Sequence, residues 1–553
     1  MAVDMRYPPE LVDEYTARGY WTNVTTKDLL ERNATDRPEE EALVDRRVRV
    51  RWGQVNLAAE RVALKLLESG FRKGDVIAIQ LPNWVEFAYA VGACGKIGAV
   101  FCQFSSEFRR REVEFILGFS EARALIIPAS FKGFDYPAMI SELRPTLPKL
   151  EHIFVVGDPV PPGMHSFREI VETPLERRYP RGYLGRFAPD ANEVMRLAFT
   201  SGTTGDPKCV VHTQNSTLAS CALQMNYHHL GRDDVSLLFL PVGLNWGLFM
   251  VLQTFLAGGT LVMMEAFSAG EALRLIQEER VTYFPTAPTG LIAMLNHPDL
   301  DRFDLKSLRL IATGGASCPL EVLRAVKERF PCRLIELYGM LEAGFQSWTL
   351  PEEDPETVCG TVGKPLAEVQ SHVVDDAGRE VPPGNVGEIA SRGPTVMAGY
   401  FKNPEANAKS FMKDGWFLTG DLGVLDERGY LRIVGRKKDM IIRGGANIYP
   451  REIEEVLFEH PKILEVAVIG IPDPYVGEKA CACIVPKPGE SISFEEIAGF
   501  LRGKIATYKL PERVEVLSEL PHTPTGKIQK SILRERLLKQ LDLEPGSAHE
   551  GKA

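Results

Sequence analysis

Short apolar runs of strand length alternate with amphipathic stretches of helical length along most of this chain. That alternation limits the fold more than any other feature. DVIAIQLP (75–82), ARALIIPA (122–129), TLVMMEAF (260–267), VTYFPTAP (281–288) and LRLIATGG (308–315) are such runs. AGEALRLIQEER (269–280) and LEVLRAVKERF (320–330) follow two of them with apolar positions at helical spacing. A strand that is apolar on both sides needs cover on both faces. The pattern therefore predicts an α/β fold of layered subdomains around buried sheets. At 553 residues the chain is long enough for several cores, and no internal repeat or low-complexity tract interrupts it.

One segment needs a membrane check. From Val235 to Met264 about 30 residues carry no charge, which is long enough to cross a bilayer. Pro241, Gly243, Asn245, Gly247, Gln253, Gly258 and Gly259 break it up, so strand, loop, helix and strand within a large core is the expectation. The opening MAVDMRYPPELVDEY has no apolar stretch of signal-peptide type. Lys and Arg total 64 against 74 Asp and Glu, a net charge of −10. No nucleic-acid partner is expected from that balance, although a local basic site remains open. The 9 cysteines form no CxxC pair and predict reduced, mostly buried thiols in a cytoplasmic protein. Cys481 and Cys483 alternate on KACACIVP and should pack on one face.

The character of the chain changes near residue 435. A β-rich stretch with turn signals, DDAGREVPPGNVGEIASRG and DGWFLTGDLGVLDERGYLRIVG, precedes it. A compact α+β pattern follows: helix PREIEEVLFEH, strands EVAVIGIPD and KACACIVPK, helix SFEEIAGFLRGKI. The expected organisation is a large N-terminal domain over 1–435, a small C-terminal domain over 436–540, and a frayed tail over 541–553.

The most informative segment is TSGTTGDPK (200–208), directly after the apolar strand VMRLAF. Glycines let backbone N–H groups converge on an anion; hydroxyls add donors and Lys208 adds a positive charge. The glycine–lysine spacing is not that of GxxxxGK[ST]. The loop resembles the phosphate signature of the adenylate-forming (ANL) superfamily. That superfamily includes acyl-CoA synthetases, aryl-acid adenylating enzymes, peptide-synthetase adenylation domains and luciferases. Seven further segments match in order: TGGA (313–316), YGMLE (338–342), GTVGKP (360–365), GEIASRGP (387–394), GWFLTGD (415–421), GRKKDMIIRGG (435–445) and PHTPTGKIQK (521–530). The opening YPPELVDEYTARGYW is similar to the start of aryl-acid and alicyclic-acid activating members.

The resemblance implies a two-step ligase. A carboxylate attacks the α-phosphate of ATP to give acyl-adenylate and pyrophosphate, and the thiol of coenzyme A then displaces AMP. It assigns Thr200, Ser201, Gly202, Thr203, Thr204 and Lys208 to the ATP phosphates. Gly314, Gly315, Ala316, Tyr338 and Gly339 would form the adenine slot, and Asp421 and Arg436 would reach the ribose. Glu342, a hard oxygen ligand, would hold Mg²⁺ on the phosphates. Lys527 would swing over the reacting carboxylate and stabilise developing negative charge. Lys438 falls at the hinge position. Rotation of the mobile C-terminal domain there would exchange Lys527 for Gly444 and Gly445, which would line a passage for the pantetheine arm.

Three positions depart from the family pattern. Leu341 stands where YGxTE has Thr, Cys209 where PKG has Gly, and Leu244 where PxxH has His. All three concern adenylation. Beside the plain acid–CoA ligase there remains a second reading, an adenylation-impaired member that mainly transfers a preformed acyl-adenylate to CoA. A third is a stand-alone adenylating enzyme that loads a carrier protein. Asn245 matches the Asn that aryl-acid enzymes use, without its His neighbour. Leu244, Asn245, Trp246, Met340 and Leu341, with Phe249, suggest a pocket for a bulky hydrophobic carboxylic acid. No charge for an amine substrate is evident. A homodimer is compatible with this reading.

Overall fold

The computed structural model describes residues 5–200, 207–316, 318–522 and 528–541. The chain divides into two compact units. The first comprises residues up to Thr200, then Lys208–Ser371 and Ser391–Phe417; the second comprises His372–Ala390 and residues from Leu418 onward.

Two large sheets build the first unit. One has the strand order Lys364–Pro365, Gly344–Trp348, Arg333–Met340, Leu310–Gly314, Tyr283–Thr286, Val235–Leu238, Thr260–Met263, Glu41–Asp45, Arg49–Arg51. Its six central strands, from Arg333–Met340 to Glu41–Asp45, run parallel; both edges are antiparallel. The other runs Gly399–Tyr400, Cys209–Thr213, Val194–Phe199, Val100–Gln103, Val76–Ile79, Ala124–Pro128, His152–Val156, His165–Ser166. It is parallel except at the Cys209–Thr213 and Gly399–Tyr400 edge. The apolar runs read from sequence are these central strands, and most are buried along their whole length. The uncharged segment resolves into strand Val235–Leu238, helix Asn245–Ala257 and strand Thr260–Met263, as its breaks predicted. Among the described residues no helix is long and apolar enough to cross a membrane.

In the second unit, Ile463–Asp473 and Gly477–Pro486 form a long antiparallel ribbon. Ile441–Arg443 and Ala446–Ile448 extend it on one side, and Arg513–Val516 adds a parallel strand. Alternation along Gly477–Pro486 sorts its side chains to two cores. Ala480, Ala482 and Ile484 face helices Pro450–Phe458 and Phe494–Leu501. Cys481 and Cys483 face helix Lys530–Gln540 through Leu533 and Leu537. The shared face of the two cysteines is thus a packing face. A separate four-stranded sheet carries Phe417–Leu425 and Leu431–Arg436.

Candidate active site

Parallel α/β sheets gather ligands beyond the carboxyl ends of their strands. Three neighbouring ends meet there: Thr286, Gly314 and Met340. Gly314 lies level with Leu337 on the adjacent strand, and a Cβ on Gly314 would come within 2.8 Å of the Leu337 carbonyl. Strand packing therefore requires this glycine, a reason the sequence alone did not give. Gly315 and Ala316 are exposed just past the strand end, and Tyr338 sits half-buried one strand over. The proposed adenine-slot residues are thereby placed at adjoining strand ends. Ser201, Gly202, Thr203, Thr204 and Lys527 lie outside the described residues.

The phosphate loop springs from a closed neck: Thr200 N–H donates to the Lys208 carbonyl at 3.0 Å, and Lys208 N–H donates to Thr200 Oγ1 at 3.1 Å. Cys209 opens the next strand and is buried in the main core with Cys102, burial pushing its thiol pKa well up. Its side chain serves packing in the core.

Strand Gly399–Tyr400 pairs with Cys209–Thr213, placing Tyr400 opposite Val210. From there the Tyr400 hydroxyl donates to Glu342 Oε1 at 3.1 Å, and the Lys208 ammonium lies 4.7 Å from the Tyr400 ring centroid. Burial, and then the Glu342 carboxylate, push the Tyr400 pKa upward, so the phenol stays a donor. The Met397 N–H holds the Glu342 carbonyl at 2.7 Å. A buried carboxylate, an aromatic donor and an ammonium therefore line up at one place. Sequence reading found Lys208 and Glu342 but missed Tyr400, because nothing in MAGYF distinguishes it from a core aromatic.

Leu341 lies in the three-residue turn between Arg333–Met340 and Gly344–Trp348. Its side chain and that of Met340 pack with Val210, Met397 and Tyr400. The Leu341 carbonyl accepts a 2.7 Å hydrogen bond from His212 Nε2, whose pKa is driven well below the usual histidine value, by burial first and Arg196 next. Met340 and Leu341 thus belong to the Tyr400 cluster. The other pocket candidates sit at the start of helix Asn245–Ala257. Leu244 occupies its N-cap and makes no side-chain capping bond, as an aliphatic residue cannot. Asn245 Oδ1 and Trp246 Nε1 are buried without hydrogen-bond partners among the described residues. Trp246 and Phe249 both pack edge-on against Phe345, at 6.2 and 5.3 Å between centroids.

The remaining candidates fall in the second unit. Asp421 and Arg436 are direct cross-strand partners, and their side chains make an ion pair at 3.6 Å. Thr419 and Glu388 pin the turn before Asp421: Glu388 accepts the Gly420 N–H and Thr419 Oγ1 accepts the Asp421 N–H. Lys437 is tied to Asp376 and Glu388 at 2.8 and 2.9 Å, and Lys438 follows in the same short 3-10 turn. Gly444 and Gly445 form the two-residue loop joining Ile441–Arg443 to Ala446–Ile448, both with positive φ (55° and 84°). A tight hairpin of that kind favours glycine at both places.

Residues 30–401 match the family model described as AMP-binding enzyme, and residues 452–527 match the AMP-binding enzyme C-terminal domain. The chain belongs to the AMP-binding enzyme family. It is an α/β member of the adenylate-forming superfamily, an AMP-forming acid–thiol ligase that uses ATP and CoA. This AMP-binding enzyme is 34% identical to a medium-chain fatty-acid–CoA ligase of Escherichia coli, over 98% of this chain and 95% of that protein. It is 32% identical to a 2,3-dihydroxybenzoate-AMP ligase of Bacillus subtilis, over 97% and 98%. The crystal structure of the anthranilate CoA ligase AuaEII with anthranoyl-AMP superposes with a TM-score of 0.84 at 29% identity, covering 94% of this chain and 98% of that one.

Proposed function

We propose that this enzyme is an acyl-CoA synthetase that activates a bulky hydrophobic carboxylic acid as its adenylate and passes the acyl group to CoA. The observation that carries this reading is Glu342, a buried carboxylate held by Tyr400 beside the Lys208 ammonium at the carboxyl ends of parallel strands. Lys208 and the loop backbone would bind the β- and γ-phosphates. Among the described residues no group of three or more His, Cys, Asp or Glu could hold a metal. A single carboxylate suits Mg²⁺, which keeps waters and takes phosphate oxygens as its other ligands. The ion would screen the phosphate charge; the Tyr400 hydroxyl would keep the carboxylate oriented towards it. Gly314, Gly315, Ala316, Tyr338 and Gly339 would hold adenine, and Asp421, paired with Arg436, the ribose. Lys527 would bridge the substrate carboxylate and the α-phosphate. The C-terminal domain, 436–540, would then turn at Lys438 to bring Gly444 and Gly445 to the thiol. Trp246, Phe249 and Phe345 support an apolar acyl site. Cytoplasmic localisation accords with the thiol content.

Leu341 favours a second reading, in which adenylation is the weak half-reaction. Its side chain offers no hydroxyl to a phosphate and its carbonyl is taken by His212. A missing hydrogen bond to a charged group costs about 1.5–3 kcal/mol, roughly ten- to a hundredfold in rate. Pyrophosphate exchange with a panel of acids, run beside CoA transfer from synthetic acyl-adenylates, separates the two. Robust exchange with any acid removes the second reading. Transfer without exchange supports it, and Leu341→Thr should then raise exchange by about tenfold. Failure of both half-reactions with every acid would overturn the synthetase reading.

A further inference from the structure

Arg196 lies mid-strand in Val194–Phe199. It is 0% exposed. Its Nε makes one long contact, 3.4 Å to Thr217 Oγ1, and its guanidinium stands 5.4 Å from the Phe249 ring centroid. Nη1 and Nη2 have no hydrogen-bond partner among the described residues. Among the described residues no carboxylate helps to hold its charge, and the nearby Cys221 thiol, kept neutral by burial, supplies none. Its cross-strand neighbour His212 is kept neutral. Burial lowers the Arg196 pKa to about 9, which leaves it a cation near neutral pH.

A buried guanidinium with two unused donor groups is costly, and native structures normally supply the missing acceptor. The nearby polar groups show the contrast. Gln224 donates to the Tyr283 hydroxyl and accepts from Gln253, so that network closes on itself. The open group lies in the first turn of helix Asn245–Ala257. Asn245 Oδ1 is unpartnered there among the described residues, and Phe249, one turn from Asn245 on the same helix face, carries Arg196 against its ring. These are the residues assigned to the acyl side of the substrate.

We propose that Arg196 is a specificity residue for a second oxygen function on the acid: its Nη donors bind a distal carboxylate in a forked pair, or more weakly a distal carbonyl, at the Phe249 end of the acyl site. The planar fork matches a carboxylate's two oxygens, and the buried setting penalises any acid that leaves the fork empty. The substrate class is then a predominantly hydrophobic acid with an oxygen at its far end. This rests on the acid-activating reading above.

The test uses the full enzyme with ATP and CoA. Plain alkanoic acids from butanoic to dodecanoic are compared with the dicarboxylic acid and the terminal methyl-ketone acid of each chain length. Thioester formation is read as kcat/KM and binding by calorimetry. At the fitting length the dicarboxylic acid should exceed its plain partner by tenfold or more, mainly through KM, with the ketone between them. Arg196→Met should abolish that preference without lowering kcat/KM for the plain acid, and Arg196→Lys should restore part of it. A wild-type enzyme that prefers plain acids at every length, or an Arg196→Met variant that loses all acids in proportion, overturns the assignment. The wild-type comparison decides the matter even if both variants fail to fold. Thioester from plain acids without a preference defeats the Arg196 inference alone; no thioester from any acid defeats the synthetase reading and this inference with it.

Discussion

Two cations of the first unit sit beside aromatic rings, in opposite circumstances. Lys208 is exposed and lies over the ring of Tyr400, whose hydroxyl donates to the Glu342 carboxylate. Arg196 is sealed inside, lies over Phe249, and has no carboxylate partner among the described residues. In the first arrangement the protein supplies both charges and leaves the ammonium accessible, as suits a polyanion that arrives from solvent. In the second it supplies one charge only, so the complement must arrive with the ligand. A buried charge without a counter-charge weakens the fold, whereas an exposed one beside a ring costs little.

Breaking the first arrangement should have the largest effect. Glu342→Gln keeps the shape but removes the charge, and should lower ATP-dependent thioester formation by about a hundredfold with the Tm little changed. An unaltered rate would place the nucleotide elsewhere. Tyr400→Phe removes one hydrogen bond to that carboxylate and should cost roughly tenfold, read as kcat with a smaller change in the KM for ATP.

The second arrangement should respond in the opposite sense. In the absence of acid, Arg196→Met should leave thermal stability level or raise it by about 1 kcal/mol or more, because an unpaired buried cation is exchanged for an apolar side chain of similar length. A large fall in Tm would mean that the guanidinium has a structural partner. The smallest effect concerns His228, buried with both ring nitrogens unpartnered among the described residues. Burial, then Arg309 and His229, lower its pKa from 6.5 to about 4. The unfolded chain takes up a proton below pH 6.5 that the folded chain refuses until about pH 4. Stability from this group is therefore complete above pH 6.5 and is lost as the pH falls towards 4. Denaturant titrations across that range should show a shallower loss for His228→Phe than for the wild type.

The sequence went far on the nucleotide side and less far on the acyl side. Lys208, Glu342, Gly314 and Tyr338 stand in short ordered segments, and contiguous motifs survive in one dimension. Trp246 was legible as an apolar wall because it lies in a long uncharged stretch. Met340 and Leu341 were grouped with it by composition, yet the hairpin turn directs them to the Tyr400 cluster. Tyr400 and His212 were missed altogether, since a buried tyrosine and a strand histidine look like ordinary core residues until a partner far along the chain is seen.

By itself, the amino-acid order determined the layered α/β class and the family. These rest on local periodicity and on spacing within single segments. Tertiary structure alone decided which polar groups are satisfied. Arg196 in VMRLAF reads as one charge in an apolar strand; only the packing of helices Gln214–His228 and Asn245–Ala257 around it removes water and withholds a counter-ion. Whether a charge is costly depends on what surrounds it in three dimensions, and those surroundings come from residues dozens of positions away.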